Sequence, residues 1–462
     1  MSETRPASSL DASALGDGRT IAAIATAPGR GALAIVRISG SDAAVIAERL
    51  LRPAPREARR VTRVQVIDPD DGCVLDDALA TRFDAPSSFT GENLLEITTH
   101  GGYRAPTSVL AAAIRAGARQ AAPGEFTRRA VLNGKLDLLQ AEAIGDLIEA
   151  RSSAAQRQAL RQLDGGLSDR VLDLRQRILQ VEALLAYDID FPEEDDGPIP
   201  RERITGAAYA ALDEVRRLLA TAELGAMLHD GALVVLAGAP NMGKSSLFNA
   251  LLGEARAIVT EIPGTTRDAI EAVFDRPRWP LRLVDTAGLR QTTDVLERLG
   301  IETSARYLAR AALVLACADS PAGVEEVIRL VRAHTSAPVL GVLTKADLVS
   351  SRPKMTPSIA VSARTGQGLA GLLDAMDARL AAEHGVPPDD VPVLTRARHR
   401  AAAATAVAEL EAFLDALVRG ALPASIAAIH VRHAADALGE LIGVLHTDDV
   451  LDVVFRQFCV GK

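Results

Sequence analysis

The hydrophobic pattern changes character along the chain and divides it before any motif is considered. Up to about residue 134, short β-rich runs such as Leu33–Ile38 and Val61–Ile67 are broken by Gly, Pro and Ser and alternate with helical stretches such as Thr107–Ala116. That mixture predicts a compact α+β domain over residues 1–134. From Lys135, long Ala-, Leu- and Arg-rich segments with helical periodicity run through about Tyr187 and again from Arg203 to Leu228, predicting an all-α region over 135–225. Between them, the acidic residues of Phe191–Pro198 raise a cation site, but the Pro, Gly and charge content favours a solvated interhelical loop. Strand and helix patterns alternate from Ala232 to about Glu383, as in a doubly wound parallel sheet, and define an α/β domain over 226–385. After Val391 the chain reads as helical to its end, giving a second helical segment over 386–462. Two incomplete helical pieces bury their apolar faces best against each other, so the α/β domain is expected as an insertion into one helical domain.

Composition narrows the class. A chain of 462 residues has room for several cores, and 48% hydrophobic with 24% charged residues describes a folded globular protein. The net charge of -9 argues against a protein that simply coats nucleic acid but leaves room for a local basic face, so any RNA contact should be localised. Cys73, Cys317 and Cys459 lie far apart without metal-ligand spacing, which predicts reduced thiols and neither a disulfide framework nor a zinc site. Met1–Thr20 is polar, and no run approaches the roughly 18 apolar residues of a membrane span. No membrane association and a cytoplasmic location are expected.

The chemistry concentrates in the α/β segment. The apolar run Leu233–Ala237 leads into Gly238-Ala-Pro-Asn-Met-Gly-Lys-Ser245, and a helix pattern opens directly after it. That context is a P-loop, whose glycines let backbone N–H groups wrap phosphates at a helix N-terminus. Asn241, Met242, Gly243, Lys244, Ser245 and Ser246 are the candidate phosphate contacts, with Lys244 on the β- and γ-phosphates and Ser245 on Mg²⁺. A second strand-like run, Leu281–Val284, ends in Asp285, Thr286, Ala287 and Gly288, placing a carboxylate beside the Mg²⁺ shell and an N–H near the γ-phosphate. Between them, Gly264, Thr265 and Thr266 read as a switch loop, with the Thr266 hydroxyl as a further Mg²⁺ ligand. Val342-Leu343 runs into Thr344, Lys345, Ala346 and Asp347, where the carboxylate accepts from guanine N1–H and its exocyclic amine. Thr344 replaces the Asn of the commoner Asn-Lys-x-Asp pattern; its shorter reach predicts retained guanine preference with some loss of rigidity. Ser362, Ala363 and Arg364 fit the last base-contact loop. Leu289 stands where signalling GTPases carry the Gln that orients water, so hydrolysis must be organised by something else.

These motifs, with Pro28–Gly31, Arg37–Gly40, Ser88–Glu92, His100–Gly102, Pro123–Phe126, Leu132–Leu138 and the terminal Phe458-Cys-Val-Gly-Lys462, resemble the tRNA-modification GTPase family MnmE (TrmE) over essentially the whole chain. The resemblance implies a folate-binding-like N-terminal domain that dimerises and a helical domain carrying the Cys motif. The inserted G domains would associate across a homodimer. It also implies K⁺-dependent GTP hydrolysis and, with the flavin-dependent partner MnmG (GidA) in a heterotetramer, transfer of an aminomethyl or carboxymethylaminomethyl group to C5 of the wobble uridine of certain tRNAs. The carbon donor would be a tetrahydrofolate derivative, 5-formyl or 5,10-methylene. Carried onto this chain, Arg37, Glu96, Lys135 and Lys462 are implied folate contacts. Asn241 with Thr260, Ile262 and Thr265 would cage K⁺; Glu261 and Pro263 complete the implied nucleotide loop; Glu297 would position the hydrolytic water.

Other readings stay open at this level. Arg37, Glu96, Lys135 and Lys462 also suit surface ion pairs, and Glu297 an ordinary helix-surface acid. Cys459 suits either a nucleophile in one-carbon chemistry or an apolar core thiol. The cluster Arg396, Arg398, His399 and Arg400 suits tRNA phosphate contact or, preferably, a solvated helix start. A ribosome-assembly GTPase would share the P-loop and switch signatures but carry an RNA-binding module after the G domain, and no such module follows. Asp347 disfavours a P-loop ATPase or kinase.

Overall fold

The computed structural model describes residues 18–150, 152–190, 199–254, 270–276, 280–285, 306–348, 358–385, 391–419, 423–444, 451, 454–455 and 458–461. It divides into two compact units, Met1–Gly145 with Ile442–Lys462, and Asp146–Leu441.

In the first unit, β1 (Ile21–Ile24), β2 (Leu33–Ser39), α1 (Ala43–Leu50), β3 (Leu51–Arg52), β4 (Thr62–Ile67), β5 (Val74–Phe83), β6 (Leu94–His100), α2 (Ala105–Arg115), β7 (Arg119–Gln120) and α3 (Glu125–Leu132) follow in order. The strands form one sheet, β3-β4-β5-β6-β2-β1-β7. Alternation places Val36, Ile38, Val64, Val66, Ala78, Ala80 and Ile97 on one face, where they pack with Ile46 and Leu50 of α1 and Val109 and Ala112 of α2. α4 (Leu138–Glu149) begins in this unit, and its Leu138 and Ala141 share a cluster with Leu451, Val454 and Phe455 from the far end of the chain.

The second unit continues with α5 (Ser153–Leu163), α6 (Gly166–Asp190), α7 (Arg201–Leu219) and α8 (Ala222–Asp230). Ser152 caps α5 by accepting from Ala155 N at 3.0 Å, a contact of the kind worth about 1 kcal/mol. The sheet elements are β8 (Ala232–Ala237), α9 (Lys244–Glu254), β9 (Ile270–Phe274), β10 (Leu281–Asp285), β11 (Leu313–Ala318), α10 (Pro321–Arg332), β12 (Val339–Leu343), β13 (Ile359–Ala360) and α11 (Leu369–His384). Their order is β13-β12-β11-β8-β10-β9, parallel except where β9 meets β10. β8 and β11 are buried at every position, as strands covered on both faces must be. The helices α12 (Ala397–Arg419) and α13 (Ala424–Ile442) complete the unit. Residues Ala208, Ala211, Leu212 and Val215 bury one stripe of α7, which packs on α12 and is joined to it by Arg216–Glu411 at 2.6 Å. The fold is therefore α+β, all-α and inserted α/β.

The chain leaves the helices for the sheet and returns at adjacent places. Leu394 N donates to Thr221 Oγ1 at 3.1 Å, and Arg396 donates to Asp146 Oδ1. His229, at the end of α8, bonds Asp146 Oδ1 at 3.1 Å and Asp230 Oδ1 at 2.8 Å. The hydrogen bond to Asp146, helped by that to Asp230 and opposed by burial, raises His229 from 6.5 to about 9. Its contribution to stability is complete below about pH 6.5, mostly retained at pH 7, and lost as pH climbs through about 9; at most about 3 kcal/mol is involved. Melting temperatures of the wild type and His229→Gln should therefore differ by several degrees at pH 7 and converge by pH 10; a constant difference would rule the imidazolium out.

The basic cluster is not the solvated helix start expected from sequence. Arg396 is held by Asp146, Arg398 donates to Glu440 O at 3.0 Å and Leu441 O at 3.3 Å, and His399 is fully buried. Only Arg400 is exposed.

Candidate functional site: a phosphate loop and a base loop at one sheet end

β8 ends in Gly238, whose φ of +154° carries the backbone against β11; a Cβ here would lie 2.2 Å from Cys317 O. Asn241 adopts a left-handed φ of 62°, tolerable for Asn because its short polar side chain bonds locally. Such turns build anion-binding concavities, and α9 starts directly behind this one. Lys244 is only 4% exposed and folds back across the loop, Nζ donating to Ala239 O at 2.8 Å. Ser245 and Ser246 open the first turn of α9 and are exposed.

Asp285 closes β10, 1% exposed, and pairs in register with Leu236 of β8, so its carboxylate stands beside the root of the loop. Burial pushes the Cys317 thiol up to about 12, with the Lys244 charge opposing and the Asp285 charge adding. The ammonium and the carboxylate thus act on one buried point beneath the loop.

The adjacent strand brings in the base motif. Thr344 follows β12, buried, and its Oγ1 lies 2.7 Å from Met242 O and 3.1 Å from Ala318 O. The shorter side chain still brings its hydroxyl to the phosphate loop directly. Lys345 takes a left-handed φ of 56° and sends Nζ to Asp319 Oδ2 at 3.2 Å. Asp347 accepts from Ser362 Oγ at 2.8 Å and pairs with Arg364 Nε at 3.2 Å. The Ser362 hydrogen bond, chiefly, and the Arg364 charge outweigh partial burial and hold the carboxyl below its usual range. Ala346 N donates to Val361 O at 3.0 Å, anchoring this turn to the Ser362–Arg364 loop that Ala363 continues.

The fold brings together Asn241 to Ser246, Asp285, Thr344 to Asp347 and Ser362 to Arg364 at the carboxyl ends of parallel strands, where open α/β sheets bind ligands. Thr260, Glu261, Ile262, Pro263, Gly264, Thr265, Thr266, Thr286, Ala287, Gly288, Glu297 and Lys462 lie outside the described residues. Sequence reasoning missed Cys317 and Asp319, which support the site from β11 and the residue after it; a buried strand ending in Asp was the available signal.

The first unit gathers a second set. Arg37 and Glu96 face each other across β2 and β6, with Nη2 to Oε1 at 2.7 Å and Nε to Oε1 at 3.0 Å. The guanidinium lies 5.4 Å from the Phe89 ring and 5.7 Å from that of Phe126. Lys135 donates to Pro86 O at 3.1 Å. Two acids in the quoted motifs are structural: Glu125, fully buried, is gripped by Arg119 at 2.6 Å and Arg129 at 3.0 Å, while Glu92 accepts from Ser39 at 2.7 Å and Arg129 at 3.1 Å. Burial drives the Glu125 carboxyl up, yet the Arg119 hydrogen bond and the Ala122 N–H outweigh it and leave it below the usual range.

The chain end reaches the same region. Val460 bridges Pro123, and Gly124 N donates to Cys459 O at 3.3 Å. At φ +98° Gly461 passes so close to β1 that a Cβ would stand 2.3 Å from Ile24 O. Ala23, beside Ile24, is the cross-strand partner of Arg37. Cys459 is exposed, which excludes the core-thiol reading. Among the described residues no helix is long and apolar enough to cross a membrane.

Comparison with known proteins covers both units. A family model described as the MnmE helical domain matches residues 138–459, and one described as GTP-binding protein TrmE N-terminus matches residues 20–135. The tRNA modification GTPase MnmE of Moorella thermoacetica is 42% identical over 461 residues, covering 96% of this chain and 99% of the relative. The protein of the same name from Chloroflexus aurantiacus is 44% identical over 455 residues, covering 96% and 99%. Among solved structures, the G domain of the T. maritima FeoB iron transporter is similar at 26% identity, covering 32% of this chain and 98% of that one, with a TM-score of 0.26. Near-complete matches of this depth, spanning the sheet of the first unit, the phosphate loop and the Cys459 tail alike, mean that the chain belongs to the MnmE family.

Proposed function

We propose that this chain hydrolyses GTP and serves tRNA modification. The observation that carries the first half is the convergence of Lys244, Asp285, Thr344 and Asp347 at one sheet end, tied by Thr344 to Met242 O. The second half is supported by the relatives' names, which give no support to a ribosome-assembly role. Asp347 selects guanine by accepting from its two donors, and Lys244 neutralises phosphate charge.

The donor set suits Mg²⁺: the Ser245 hydroxyl in the first turn and the buried Asp285 carboxylate at the neighbouring strand end are hard oxygen donors of the kind that ion takes. Bound there, Mg²⁺ would neutralise charge developing between the β- and γ-phosphates. Thr266 would add a hydroxyl ligand. Asn241, exposed on the loop, would supply a side-chain oxygen to a K⁺ cage completed by Thr260, Ile262 and Thr265, and Glu297 would orient water. Arg37, near the Phe89 and Phe126 rings, and its partner Glu96 would present donor and acceptor edges that match a pterin, with Lys135 and Lys462 for the acidic tail of tetrahydrofolate. In this reading the cytoplasmic protein works as a homodimer with a flavin-dependent MnmG partner at C5 of the wobble uridine. Residues 1–134 carry folate, 226–385 form the G domain, and 135–225 with 386–462 form the helical domain.

Mass spectrometry of tRNA from cells with and without the gene tests the modification: loss of the C5 substituent at the wobble uridine supports it, and unchanged tRNA overturns it. GTP turnover should rise at least tenfold when K⁺ replaces Na⁺; equal rates would remove Asn241 from a cation cage.

A further inference from the structure

Guanine presents two edges, and Asp347 meets the one bearing N1–H and the exocyclic amine. The opposite edge carries N7, an acceptor. Resting on the guanine-nucleotide reading above, we infer that this chain leaves N7 unread, because Thr344 commits its single donor to the phosphate loop.

Thr344 is 2% exposed, and its Oγ1 is 2.7 Å from Met242 O and 3.1 Å from Ala318 O. Both are carbonyl oxygens, so the hydroxyl proton is held by them, more closely by Met242. A hydroxyl has one proton and two lone pairs. What remains on Oγ1 is acceptor capacity, and an acceptor offers nothing to N7. An Asn amide in the same place would carry two N–H donors, one for the loop carbonyl and one for the base. The neighbouring cation is turned elsewhere: Lys345 Nζ lies 3.2 Å from Asp319 Oδ2. Thr344 is thus a positioning residue that ties the phosphate loop to the strand carrying Asp347. Purine selection falls to the Asp347 edge and the Ser362–Arg364 loop.

The test compares dissociation constants of GDP and 7-deaza-GDP, which has C–H in place of N7, by titration calorimetry on the full chain. Wild type should bind the two within about twofold. Thr344→Asn should open a preference of about fivefold for GDP, the value of one ordinary hydrogen bond. Thr344→Val, which removes the proton at constant shape, should weaken both nucleotides equally. Wild-type discrimination of fivefold or more against 7-deaza-GDP would overturn the inference while leaving the GTPase reading intact. An unchanged ratio in Thr344→Asn would overturn the role of this residue. Failure of wild type to bind either nucleotide would overturn the guanine-nucleotide reading itself, and this inference with it.

Discussion

Asp347→Asn should weaken GTP binding about a hundredfold and admit xanthosine triphosphate in its place. The carboxylate is an acceptor at both oxygens, and guanine brings two N–H donors to it. The carboxamide keeps one acceptor and turns an N–H toward a donor of the base, so one of the two hydrogen bonds survives and the other is replaced by a clash of like groups. Bonds to a charged acceptor are worth about 1.5–3 kcal/mol each, which sets the hundredfold scale. Xanthine replaces the exocyclic amine by a carbonyl and restores the match. Ser362 Oγ, now 2.8 Å from Asp347 Oδ1, can still donate to the amide oxygen, so the loop should hold its shape. Fluorescent-nucleotide titrations check this, and undiminished GTP affinity would remove Asp347 from base selection.

Gly238→Ala should abolish nucleotide binding and lower the melting temperature by about 5 °C or more. The added methyl would sit 2.2 Å from Cys317 O, in a strand paired on both sides by β8 and β12 and buried throughout. Neither the loop nor the strand can retreat without breaking the sheet that positions Lys244 and Asp285. Gly206→Ala is the matched control: nothing lies within 4 Å of its Cβ position in α7, and the substitution should stabilise by about 0.5–1 kcal/mol. Equal effects of the two changes would mean that the close approach at Gly238 is immaterial.

The parts of this molecule that sequence makes legible are those in which local chemistry and local structure coincide. Leu233–Ala237 is apolar without interruption because its strand is covered on both faces, and it runs straight into the phosphate loop; Leu281–Val284 is broken only by the partly buried Arg282 and runs straight into Asp285. β5 is harder to read: it mixes Asp76, Asp77 and Arg82 with apolar positions, since only Ala78 and Ala80 are fully buried. Pairings across long separations are invisible to periodicity. Arg396 with Asp146, and Arg37 with Glu96, form only when strands or helices distant in sequence meet, which is why a basic run looked like a solvated helix start. The helical pattern after Val391 does hold through α12 and α13, but Phe458–Gly461 abandons it, because bridge pairing with Pro123 replaces helical hydrogen bonds. The contact of Thr344 with Met242 is equally invisible, because side-chain length says nothing about how near the backbone approaches.

The tail that ends on β1 also sets an order of events during synthesis. Val131, Leu138 and Ala141 share their cluster with Leu451, Val454 and Phe455, and the two compact units interleave such that the first is interrupted by roughly 300 residues of the second. A ribosome adding about 5–20 residues per second needs on the order of 15–60 s to make that stretch. The unit that begins first is therefore completed only after the second has been made, and its unfilled apolar face must be kept from other chains until residues 451–455 have emerged.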